Sequence, residues 1–119
     1  MATVRRISVA VATLLLAAAF TFFGWFKTFA PIATLAEHRA WTLALPEWVG
    51  RLGGASELVA AAALLVGLKY ARLGRAAAVY LVVNQLAAAA VHLSRGEGDA
   101  LPQNAVLIAL CLLALTYRR

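Results

Sequence analysis

Five side chains set in apolar surroundings are the candidates for chemistry: Lys27, Glu57, Asn84, Gln85 and His92. Glu57 is the sharpest. It is the one acid in residues 52–68, a run otherwise made of apolar and small residues. Placing an ionisable group in hydrocarbon costs several kcal/mol, so such a group marks either a site or a pair. Two readings follow. Glu57 binds a polar head group, a proton or a cation in an outward-facing pocket, or it forms a structural ion pair with Lys27, Arg51 or His92.

Lys27 stands at the end of an apolar run and also reads as a snorkelling anchor at a helix end. His92 has three roles open to it: proton transfer, ligation of a haem or metal, or a hydrogen bond to Glu57. The chain holds two histidines, His38 and His92, without HxxxH spacing, so no metal site is expected. Asn84 and Gln85 suit interhelical hydrogen bonds of about 1 kcal/mol each. Cys111 is the single cysteine, which excludes an internal disulfide and a CxxC pair; it reads as a small apolar packing residue. A phosphate loop, a Ser-His-Asp set, paired catalytic carboxylates and HExxH are all absent from the sequence. Whether the chain is an enzyme is left open, with an accessory role favoured.

The elements that hold these residues follow from hydropathy. The 119 residues are 64% hydrophobic and 13% charged, with a mean hydropathy of +0.84. A soluble domain of this size needs about a quarter of its residues charged, so the expected solvent is a bilayer. The net charge of +6 does not point to nucleic acid, because Lys and Arg fall between apolar runs rather than in a stripe with interleaved aromatics.

The expectation is an all-α transmembrane four-helix bundle in a single membrane domain, 1–119, with helices over 7–27, 46–70, 75–93 and 102–117. The first run continues through Phe20, Phe22, Phe23, Trp25 and Phe26, which favours an uncleaved membrane helix over a signal peptide. The outer loop, 28–45, carries a weakly amphipathic stretch suited to a short interfacial helix anchored by Trp41. Pro46 and Pro102 suit the first turn of the helices that follow them. Residues 69–75 form a basic turn and residues 94–99 a polar, Gly-containing one.

Charge sets the expected orientation. Arg5, Arg6, Lys69, Arg72, Arg75, Arg118 and Arg119 share one side with no acid among them. The other side carries Lys27, Arg39, Arg51 and Arg95 with all five acids. Lys and Arg mark the cytoplasmic side, so both termini are expected there, in a multi-pass protein of the cell inner membrane. Glu57 then lies roughly 7–8 Å below its entry point, and Asn84 and Gln85 about 10–12 Å below the outer surface. Lys27, Glu57, Gln85 and His92 share the outer half, and Gln85 and His92 lie on one helical stripe.

Four segments in order carry a resemblance to a known family. They are Phe23-Gly24-Trp25-Phe26-Lys27, Leu45-Pro46, Gly53-Gly54-Ala55-Ser56-Glu57-Leu58, and residues 84–93, from Asn84-Gln85 to His92-Leu93. Together they resemble the DoxX-like family of small four-helix integral membrane proteins, over nearly the whole chain. The polar insert around Glu37-His38-Arg39 departs from the family's Gly-x-x-Lys-Leu context. The resemblance implies a protein most often bacterial, with Lys27, Glu57 and His92 as its polar signature. The family is named for a subunit linked to quinone-dependent sulfur oxidation, and most members have no assigned chemistry.

Three functions are consistent with these residues. The first is binding of a lipophilic small molecule (a quinone or a lipid) or of a partner subunit through an outer-leaflet pocket. The second is a membrane subunit of a quinone-linked oxidoreductase, with a redox partner and a quinone or haem. The third is a small proton-coupled transporter, ranked last because small multidrug transporters carry their key Glu in the first helix, which here has no acid. Expected partners are membrane lipids and the bound molecule, with a homo-oligomer allowed by the small-residue patterns at Gly50, Gly53, Gly54, Ala60 and Ala61.

Overall fold

A computed structural model describes residues 2–117, with side chains described through 115. Five α-helices follow one another: α1 (Ala2–Phe29), α2 (Ile32–Glu37), α3 (Glu47–Val66), α4 (Ala71–Ser94) and α5 (Leu101–Tyr117). Short 3-10 turns cover Trp41–Ala44 and Gly98–Ala100, and no strand occurs among the described residues. Four segments, Ala2–Phe29, Glu47–Val66, Ala71–Ser94 and Gly98–Leu115, are long and apolar enough to cross a membrane. The chain is an all-α, multi-pass membrane protein. Val11, Leu14, Val59, Val83 and Leu112 are each at least half exposed, a belt of apolar surface that hydrocarbon solvates and water does not.

The core shows why small residues recur. Leu16 and Phe20 of α1 pack on Ala60, Ala61 and Leu64 of α3, Ala77, Ala78 and Leu81 of α4, and Leu107 and Cys111 of α5. Alanine lets backbones approach closely, and the long side chains fill the space that remains. Cys111 is fully buried in this cluster.

α1 packs most extensively against α3. Two glycines set that contact. A Cβ at Gly24 would lie 2.8 Å from the Gly54 carbonyl oxygen, and one at Gly54 would lie 2.8 Å from Lys27 Cβ. Nothing larger than hydrogen fits at either position.

Several helix limits differ from the sequence expectation. α1 starts at Ala2 rather than 7, because the intervening residues are tolerated in a helix and nothing breaks it. α3 stops at Val66 rather than 70, with Gly67 as its C-cap, and α4 begins at Ala71 rather than 75. The basic turn therefore shrinks to 67–70, and Arg72 and Arg75 sit on the first turns of α4. Pro46 is extended (φ −52°, ψ 147°) and caps α3 instead of lying inside its first turn.

The loop after α1 carries the expected short helix as α2, but Trp41 turns inward and is not a surface anchor. Leu35, Ala40, Trp41 and Thr42 are buried, and the segment folds over the end of the bundle. The reversal after α2 is a Schellman motif: the Ala40 N–H bonds the Leu35 carbonyl, and the Arg39 N–H bonds the Ala36 carbonyl. Its left-handed position is held by Arg39, φ 55°. The same motif ends α4, there with Gly96 at φ 71°.

Candidate functional site

The site is built from one end of the bundle, where α1 finishes, α3 begins, α4 finishes and α5 begins. Lys27 lies three residues after Gly24, and Glu57 three residues after Gly54. In a helix that spacing puts each charge on the same face as its glycine. The close approach at the glycines therefore brings the two charges together. Lys27 Nζ donates to both Glu57 carboxylate oxygens at 3.0 Å. Glu57 is fully buried and Lys27 nearly so. The ammonium also stands 5.7 Å from the ring centres of Phe23 and Trp41. Lys27 is thus a buried ion-pair partner, not a snorkelling anchor, because its ammonium is held inside the bundle by the Glu57 carboxylate.

The other partners considered for Glu57 are engaged elsewhere. Arg51 donates to the Lys27 backbone carbonyl at 3.1 Å and stands 3.7 Å from Glu47. His92 does not bond Glu57. Its Nδ1 lies 2.7 Å from Glu97 Oε1, because the turn after α4 carries Glu97 back over the last helical turn.

Beside the ion pair lies a cavity of about 400 Å³. Phe22, Phe23 and Phe26 of α1 and Leu107 of α5 give it an apolar wall. Lys27, Gln85, His92 and Asn104 contribute polar groups, and His38, Arg39 and Trp41 close it from the folded-over segment. Of the five residues singled out from sequence, Lys27, Gln85 and His92 line this cavity. Glu57 stands behind Lys27, and Asn84 stands behind Gln85.

A chain of amides crosses the floor. Asn104 Nδ2 donates to Gln85 Oε1 at 2.7 Å, and Gln85 Nε2 donates to Asn84 Oδ1 at 3.1 Å. All three residues are buried. Among the described residues, two side chains of the lining each bury a polar atom without a hydrogen-bond partner: Trp41 its Nε1 and Asn104 its Oδ1. An unmet buried polar group costs about 1–3 kcal/mol, so such atoms are unusual in a settled core.

The rim is latched by charge. Arg39 Nη1 and Nη2 donate to the two Asp99 oxygens at 3.1 and 2.9 Å, a bidentate pair between the segment after α2 and the turn before α5. The hydrogen bond to Asp99, followed by its charge, raises the Arg39 guanidinium pKa above its ordinary value. Arg95 donates to the Ala40 carbonyl at 3.2 Å. Among the described residues, no group of three His, Cys, Asp or Glu side chains is placed to hold a metal ion.

Sequence reasoning did not find Asn104, Trp41 as a wall residue, or the Arg39–Asp99 latch. A polar residue two positions after Pro102 in an apolar run was the available signal for Asn104. The latch joins residues 60 apart and left no local trace.

A family model described as the DoxX-like family matches residues 11–114. No curated protein and no solved structure gives a match.

Proposed function

The chain belongs to the DoxX-like family, and we propose that it binds a lipophilic small molecule, a quinone or another lipid, in the cavity beside Lys27. The observation that carries this reading is the make-up of that cavity. About 400 Å³ of space is bounded by aromatic rings on one side and by buried amides and an ion-paired ammonium on the other. An amphiphile presents the same two faces, and this volume falls within the range typical of small-molecule sites. The Lys27–Glu57 pair fixes α1 to α3, and Lys27 forms part of the wall. In this reading the polar end faces the outer leaflet of the cell inner membrane, with both termini cytoplasmic. The distribution of Lys and Arg supports that placement; Arg118 and Arg119, which contribute to it, lie outside the described residues.

Ala88, buried on α4 and lining the cavity, provides the test. Ala88→Leu fills the space without altering Lys27 or Glu57. Wild-type protein released from native membranes in a mass spectrometer is expected to carry a bound small molecule. Ala88→Leu, and independently Leu107→Trp, should lose it. An empty wild type, or a bound mass retained in both variants, contradicts the reading.

A further inference from the structure

We propose that the head group held in this cavity is uncharged and presents a hydrogen-bond acceptor together with a donor. The acceptor meets Trp41 Nε1–H and the donor meets Asn104 Oδ1. The inference rests on the cavity being a binding site, and it adds the chemical class of the ligand.

Its first support is the pair of unmet atoms. Trp41 is 9% exposed and Asn104 7%, and both line the cavity. An indole nitrogen only donates; a side-chain amide oxygen only accepts. In this arrangement of the amide chain the end of Asn104 left over is its oxygen. Its Nδ2 is committed to Gln85 Oε1, and Gln85 Nε2 is committed to Asn84. The ligand must therefore supply one acceptor and one donor.

The second support is electrostatic. Each Lys, Arg and Asp at the cavity is already in an ion pair. Lys27 holds Glu57 at 3.0 Å and Arg39 holds Asp99 at 2.9 Å. His92 is bonded to Glu97 at 2.7 Å. An anionic head would enter without a free cation and would meet Glu57 and Asp99 as like charges. A cationic head would find every carboxylate taken. A charge buried without a counter-charge is strongly disfavoured. A head with acceptors alone satisfies Trp41 but faces the Asn104 oxygen with another acceptor. For a quinone, the same pairing favours the reduced, hydroxyl-bearing form.

Three amphiphiles with one tail separate these cases: monododecanoylglycerol (donors and acceptors), methyl dodecanoate (acceptors only) and dodecanoate (anionic). Their affinities are measured by equilibrium binding to the full chain in nanodiscs. The monoacylglycerol should bind roughly 5- to 10-fold tighter than the methyl ester, the worth of about one hydrogen bond. Dodecanoate should bind more weakly than either. Trp41→Phe should weaken the monoacylglycerol and the ester alike, by roughly fivefold. Asn104→Leu should weaken the monoacylglycerol and bring it level with the ester without weakening the ester, which also reports that the cavity is intact. Equal affinity for all three, tightest binding of dodecanoate, or loss of the ester in Asn104→Leu overturns the head-group assignment. Binding of all three that Ala88→Leu does not disturb overturns the cavity reading instead.

Discussion

At the scale of single residues, the buried pair of Lys27 and Glu57 dominates. A carboxylate with no exposure tolerates its charge only because an ammonium sits 3.0 Å from both oxygens. Removing one partner leaves the other uncompensated, which in buried pairs costs about 3–5 kcal/mol, whereas replacing both with apolar residues is often neutral. Lys27→Met alone is therefore expected to lower the unfolding midpoint in detergent sharply. The double variant Lys27→Met with Glu57→Leu should recover most of the loss. A double variant as unstable as the single one would show that the pair's worth lies outside its charge. The sequence displayed both residues as candidates, since acids and lysines in apolar runs stand out. It left three partners open for Glu57, because choosing among them needs the helix rotation and depth that only packing supplies. His92 turned to Glu97 for the same reason: a reversal five residues on decides its partner.

At the scale of elements, two glycines place that pair. Gly24 and Gly54 lie one helical turn before Lys27 and Glu57, at the closest approach of α1 and α3. Gly24→Ala or Gly54→Ala is expected to cost about 1–3 kcal/mol, the usual range for overpacking, and to move Lys27 away from Glu57. Gly53→Ala is the control: its Cβ would meet only Thr42 Cγ2, at 3.8 Å. Thermal unfolding of the three variants checks the ranking, and an equal effect from Gly53→Ala would contradict the contact. The small-residue pattern was legible in the sequence as a sign of close packing. The path of residues 30–46 was not. Gly96 marks one Schellman turn in the usual way, but the other puts Arg39 where glycine is usual. Nothing local in Glu37-His38-Arg39 announces that reversal, so the turning inward of Trp41 was hidden. The arginine is held there by Asp99, 60 residues away.

At the scale of the whole molecule, hydropathy settled most of the architecture. Four runs of apolar residues became four candidate spans because backbone in hydrocarbon must bond within its own helix. The ends of the helices were less legible, since capping and the small residues near Gly67 shift them by a few positions. Orientation is a separate claim and has its own measurement. A membrane-impermeant maleimide should label Gly98→Cys, an exposed turn position, in intact cells. It should label Leu68→Cys only after permeabilisation; the reverse pattern would invert the topology. The central claim concerns the cavity that these spans enclose. Its most direct test is an experimental structure of the wild-type chain kept in native lipid. The account predicts density for one amphiphile between α1, α4 and α5, its head within hydrogen-bond distance of Trp41 Nε1 and Asn104 Oδ1. A cavity holding only water, or closed by its own side chains, would contradict it.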